Sequence, residues 1–241
     1  MVPYYLLQFF PPVIGKLIGN ENSKKVNKII IFSFFFIFLF LLFFIDKFVG
    51  IDLYNYYYYF QKYSMSDFSS IMNHITNPNA NDVEAGYMIL NWLVNRFTHN
   101  FQWFLIFVAS ISVIPVAVLY YKNSEHAYLV ITLFSTIGIF SMFFSGLRQI
   151  IAVSIGILAY SAAKDKKIIR FALLVLIAMQ FHKTAFVLAV LYPCCHLKLK
   201  KNNLFFIVPA LIVIFIFNKP IFLWLAQFVP EVENVKIQIT N

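Results

Sequence analysis

Charge is what this sequence has least of. Only 12% of its 241 residues are charged, while 61% are hydrophobic. An ordinary soluble domain carries about 25% charged and about 45–50% apolar residues. A water-soluble fold could not hide so much apolar surface, so lipid must be the solvent for much of the chain. Acidic side chains are the scarcer kind: ten Asp and Glu stand against nineteen Lys and Arg, a formal net charge of +9. In a soluble protein that excess would raise nucleic acid as a partner. Here the basic residues fall in short clusters between apolar runs, the pattern of membrane loops, and no nucleic-acid partner is expected. Cysteine is nearly missing too. Cys194 and Cys195 are adjacent, neighbouring cysteines rarely bridge each other, and the pair has no metal-ligand spacing. They read as small apolar fillers at a helix end, and neither a metal nor a cofactor is expected. No cleavable leader is expected, because Lys16 interrupts the first apolar run and no small-residue cleavage site follows. No linker-like stretch divides the chain, which reads as a single membrane domain over residues 1–241.

What is abundant is apolar runs. A helix needs about 20 apolar residues to cross about 30 Å of hydrocarbon. Residues 3–19 form a weak first candidate, broken by Pro11 and Pro12; residues 29–45, nearly all Phe, Ile and Leu, form the strongest. The Phe-rich run 32–44 reads as lipid-facing filler. A mixed-polarity segment follows, from Asp46 to Asn100, with a turn signal at Asn77-Pro78-Asn79 and an apolar, partly embedded helix near 86–97. Further spans fit 101–121, 127–145, 147–163, 168–181, 184–196 and 204–217. The expected fold is an all-α polytopic transmembrane bundle of about seven or eight spans with one long outer loop. Ala152, Gly156 and Ala159 share a helix face on which a neighbour can pack closely.

Basic clusters orient the bundle. Lys24, Lys25 and Lys28 precede the Phe-rich span, Lys164, Lys166, Lys167 and Arg170 separate two later spans, and Lys198, Lys200 and Lys201 follow another. Placing all three inside is compatible with alternating spans. It puts segment 46–100 outside, with Asp52, Asp67, Asp82 and Glu84. The turns at Ser145–Gln149 and Phe181–Thr184 also fall outside.

Ionisable groups at membrane depth are costly and are functional candidates by default. Arg148, His182, Lys183, Asp52 and Glu84 all fall on the predicted outer side. From Arg170 to His182 is roughly 18 Å of helix, short of about 30 Å, so the Phe181–Thr184 turn should lie inside the bundle. Arg148 should also lie somewhat deep. Two cationic or titratable turns would then line one recess opening outward, suited to an anion such as a lipid pyrophosphate, to whose oxygens Arg offers a planar fork of donors. Bland roles compete: Arg148 could snorkel, Lys183 could anchor at the interface, and Asp52 and Glu84 could be solvated surface. Tyr54, Tyr56, Tyr57, Tyr58 and Tyr59 could stack on sugars or form an aromatic belt.

These residues occur in a recognisable order. Asp52 is followed by Tyr54-Asn55-Tyr56, then come Glu84-x-Gly86-Tyr87 with Leu90-Asn91, Leu147-Arg148-Gln149-x-Ile151-Ala152, and Phe181-His182-Lys183-Thr184-Ala185. The ordered set resembles the EpsG-like membrane proteins of bacterial exopolysaccharide and O-antigen clusters, related to Wzy-type repeat-unit polymerases. The resemblance spans roughly residues 1–217. It implies a glycosyltransferase-type polymerase of the bacterial cytoplasmic membrane, acting outside on undecaprenyl-pyrophosphate-linked repeats for exopolysaccharide, capsule or O-antigen. Other polysaccharide-assembly proteins are then possible partners. Arg148 and Lys183 would hold pyrophosphate, one of His182, Glu84 or Asp52 would be the general base, and Tyr54, Tyr56, Tyr87 and Gln149 would contact sugar. In the family a basic residue usually precedes the Gly-x-Asp motif; here Asp46 and Lys47 stand there, with no Arg. The family also continues further after the span ending near Phe217, so a chain shortened at its C-terminus is expected. A flippase or transporter of lipid-linked glycan is the competing reading, but such proteins typically carry internal repeats and none is seen. A membrane acyltransferase modifying glycan would also turn a His toward a recess.

Overall fold

The computed structural model describes residues 23–49, 52–77, 83–136 and 139–197, with isolated positions at 209, 216 and 217. The span expected at 3–19, most of that at 204–217, and the residues Asp82 and Lys200 lie outside the described residues. The chain divides into two compact units, Met1–Cys195 and His196–Asn241. The elements that build the site belong to the first.

Every regular element among the described residues is helical. In chain order these are α1 (Lys24–Leu42), α2 (Leu53–Ser64), α3 (Phe68–Thr76), α4 (Ala85–Asn95), α5 (Phe101–Asn123), α6 (Ala127–Thr136), α7 (Ile139–Ser145), α8 (Leu147–Lys164), α9 (Ile168–Met179), a 3₁₀ helix (Lys183–Val190) and α10 (Leu191–His196).

Three of them, α1, α5 and α8, are long and apolar enough to cross a membrane, and α6 with α7, bent by 50°, can count as a fourth. The molecule is therefore an all-helical membrane protein. Three of the expected spans, 29–45, 101–121 and 147–163, appear as single helices, and 127–145 as the bent pair. The described residues do not hold the seven or eight spans expected. Helix α9 has 12 residues, roughly 18 Å at the rise of an α-helix, and cannot cross alone. The stretch expected as a span at 184–196 is a 3₁₀ helix followed by a short α-helix. Pro193 supplies one reason: it has no N–H to donate to Ala189, and it is accommodated in the first turn of α10.

Polar side chains set the helix order. Ser23 caps α1 by accepting from the Val26 N–H. Asn27 accepts the Ala127 N–H at 2.8 Å, tying the start of α6 to the start of α1. At the other end the Gln102 side chain donates to the Phe43 carbonyl at 2.5 Å, while Lys28 lies 5.0 Å from the ring centre of Tyr121. Helices α1 and α5 are thus antiparallel. Ser154 of α8 donates to the Ser112 carbonyl of α5 at 2.8 Å. The result collects Lys24, Lys28, Lys122 and Lys164 at one end of the helices. The starts of α5 and α8 lie at the opposite end.

The Phe-rich run is not filler throughout. Phe34, Phe35 and Phe38 are buried and meet Phe134, Phe140 and Phe143 at ring distances of 5.1–5.9 Å. Phe32, Phe36 and Phe40 are exposed. A run of one residue type still has a helical period of about 3.6, so one stripe becomes core and the other faces lipid.

Helices α2 and α4, from segment 46–100, pack onto the bundle. Phe60 and Tyr57 of α2 pack on Phe104 and Phe101 of α5 at 5.1 and 5.3 Å. Asn95 of α4 donates to the Phe60 carbonyl at 3.2 Å. Buried residues of this segment and of α1, α5 and α8 form one continuous apolar cluster.

Small residues bring α8 and α9 together. Ala159, Ala162 and Ala163 pack with Phe171 and Val175, and Ala152 packs with Ala178 and Ala185. Gly156 faces Leu188 of the 3₁₀ helix so closely that a Cβ there would sit 3.0 Å from its methyl groups. Ala152, Gly156 and Ala159 therefore do serve close packing, as the small-residue spacing predicts.

Candidate functional site

The site forms where three helix ends meet, away from the lysine-bearing end. Glu84 immediately precedes α4, Arg148 is the second residue of α8, and His182 precedes the 3₁₀ helix. A cation in the first turn of a helix opposes the helix dipole, so Arg148 needs a partner there. Glu84 is that partner: its Oε2 accepts a short hydrogen bond from Arg148 Nη1. The other oxygen, Oε1, accepts the Lys183 backbone N–H at 3.3 Å and lies 3.5 Å from His182 Nδ1.

The carboxylate is well enclosed. The Glu84 side chain is 9% exposed, against 28% for Arg148 and 23% for His182. Burial alone would raise the Glu84 pKa. The adjoining His182 imidazole and the Arg148 charge outweigh it and hold the carboxyl at about 2. Arg148 Nε is buried and makes no hydrogen bond among the described residues. The cluster therefore keeps donor capacity beyond what Glu84 uses.

A close backbone contact fixes this geometry. The Gly86 N–H donates to the Gln180 carbonyl at 2.9 Å. A Cβ on Gly86 would fall 2.7 Å from Gln180 Cβ and 2.8 Å from its carbonyl oxygen. Only glycine permits that approach. The sequence pointed to Gly86 within its motif; Gln180 had no signal, because it acts through its main chain.

Of the sugar-contact candidates, Tyr56 lies beside Arg148, with its phenol pushed up by burial. Tyr87 is fully buried and packs edge-on against Tyr56 at 5.7 Å. Gln149 lines a hollow of about 260 Å³ together with His182, Thr184, Met142 and Val153. Tyr54 does not join the cluster: it is 57% exposed and stacks on Phe48 at 6.1 Å. Asp52 sits one turn before Tyr56 and bears on it electrostatically, at the edge of the cluster. Lys183 contributes its backbone N–H, while the residue as a whole is exposed. No group of three His, Cys, Asp or Glu suited to a metal occurs among the described residues.

Apolar helices around a buried, donor-rich ionic cluster define a polytopic membrane protein with a candidate anion site. The family model for the EpsG family matches residues 5–237, and the chain belongs to that family, among membrane proteins of polysaccharide biosynthesis. No curated protein and no solved structure matches it.

Proposed function

We propose that this protein polymerises undecaprenyl-pyrophosphate-linked oligosaccharide repeats on the outer face of the bacterial cytoplasmic membrane. One observation carries the reading: Arg148, His182 and the Lys183 N–H converge on a single anion, the Glu84 carboxylate, at the helix ends away from the basic clusters. Such donors suit phosphate oxygens, and the positive-inside rule favours an outward position for that end.

In this reading a hydroxyl of the acceptor repeat attacks the anomeric carbon of the donor glycan. The bond to the carrier pyrophosphate breaks, and its electron pair leaves with the phosphate. Arg148, through the guanidinium nitrogens that Glu84 does not engage, holds that leaving group. The hydroxyl proton passes to His182. Glu84, ionised down to about pH 2, is too weak a base for this step and instead orients Arg148 and His182. Tyr56 and Gln149 flank the sugar.

The test is Arg148. Arg148→Ala should abolish polymer while protein level persists, with single lipid-linked units accumulating. Arg148→Lys keeps the charge but loses the bidentate fork and should give shorter or less polymer. Chain length is read on gels from cells making the cognate repeat unit. Polymer of normal length and amount from Arg148→Lys would mean that Arg148 merely snorkels.

A further inference from the structure

On the lipid-facing side of the seam between α1 and α5, two hollows meet at shared walls, Phe32 and Tyr121. One, of about 500 Å³, is basic and lined by Lys24, Lys25 and Lys28. The other, of about 440 Å³, is an apolar groove walled by residues such as Phe36, Leu39, Ile114 and Val118, with Lys122 at its rim. Among the described residues no carboxylate lines either hollow, and α1 has no acidic residue in its first turn; Glu21, three residues before Lys24, lies outside the described residues. Glu125 stands in the loop beyond α5. Phe32 and Phe36 are each 61% exposed.

We propose that this seam is a binding site for an anionic membrane phospholipid, its phosphate among Lys24, Lys25, Lys28 and Lys122 and an acyl chain in the Phe36–Val118 groove. Charge complementarity selects the occupant. Four cations crowd one end of an apolar groove, two of them in the first turn of α1 at the positive end of its dipole. A neutral lipid would leave that charge uncompensated. A soluble anion would leave the groove unused. Length fits as well: from Lys28 to Leu39 is roughly 16 Å of helix, about half of a 30 Å hydrocarbon core, the depth of one leaflet. Basic pockets between membrane helices are a known way of holding acidic headgroups. The site is remote from Glu84 and Arg148, and its occupation does not depend on the reaction proposed above.

The experiment uses the full chain, reconstituted in phosphatidylcholine vesicles with or without phosphatidylglycerol, then extracted in mild detergent and weighed by native mass spectrometry. Phosphatidylglycerol should remain bound to the wild type and phosphatidylcholine should not. Lys24→Gln/Lys25→Gln/Lys28→Gln/Lys122→Gln should retain at least about fivefold less. Because removing four lysines can disturb insertion, Ile114→Trp/Val118→Trp supplies a second arm. It fills the groove, keeps every charge and should show the same loss. Lys166→Gln/Lys167→Gln, in the basic turn before α9, should bind as the wild type does. Undiminished lipid in both seam variants, or equal loss in the Lys166/Lys167 control, overturns the proposal. Efficient disulfide formation between cysteines placed at Phe36 and within residues 3–19 overturns it too, because the chain would then cover its own groove.

Discussion

Glu84 meets Arg148, the Lys183 N–H and His182 at once, and that crowding makes its ionisation a stabilising term. Its pKa is about 2 in the folded protein against 4.5 ordinarily. Between those values the unfolded chain takes up a proton that the folded protein refuses. The stabilisation is therefore complete above about pH 4.5 and lost as the pH falls through about 2, and it amounts to at most about 3 kcal/mol. Melting temperatures of the detergent-purified protein should fall more steeply over this window for wild type than for Glu84→Gln. Parallel curves would show that the carboxylate is not held in this way. Gly86 offers a second test at the same scale. Gly86→Ala must push against the Gln180 main chain and should destabilise by about 1–3 kcal/mol. Gly156→Ala meets only the flexible end of Leu188 and should melt close to wild type. Arg148 and His182 stood out in the sequence by their expected depth, where ionisable groups are costly, and Glu84 by its expected side and its place among the ordered motifs. Gln180 was not legible, since a main-chain carbonyl leaves no trace in residue identity. Tyr54 and Tyr56 looked alike for a related reason. Only the neighbours of α2 decide which ring turns inward.

At the scale of elements, hydrophobic runs located α1, α5 and α8 well, because length and apolarity are all that a straight span requires. They did not reveal where a helix tightens. Nothing in the apolar stretch 184–196 distinguishes α from 3₁₀ winding except Pro193, and eight residues of 3₁₀ helix is long for that form. Low complexity concealed the two faces of α1 in the same way. Nearly every position from Phe32 to Phe44 reads Phe, Ile or Leu, so the contrast between core and lipid faces arises only when α6 and α7 pack on it. The packing of α2 and α4 on Phe101 and Phe104 of α5 yields a prediction at this scale. Residues 46–100 expressed alone lose those partners, expose their aromatic faces and should aggregate or remain unstructured. A soluble fragment with a cooperative thermal transition would contradict it.

For the whole molecule the decisive question is which way the site faces. With Cys194 and Cys195 first replaced by Ala, single cysteines at Asp52 and Gln149 should react with an impermeant thiol reagent from outside intact cells. A cysteine at Lys166 should react only after the membrane is opened. Labelling at Gln149 exclusively from the cytoplasm would remove both the topology and the proposed reaction. The all-helical class and the family could be anticipated from composition and ordered motifs, whereas the connection of α4 to the end of α9 could not. That connection has a mechanical consequence. The start of α4 is pinned to the α9–3₁₀ turn at two points, Gly86 to Gln180 and Glu84 to Lys183. Two attachments resist the sliding and twisting that one alone would allow. A pull on Arg148 is therefore carried through Glu84 into the turn that bears His182, and the main chain works as a spacer bar between the acid and the imidazole.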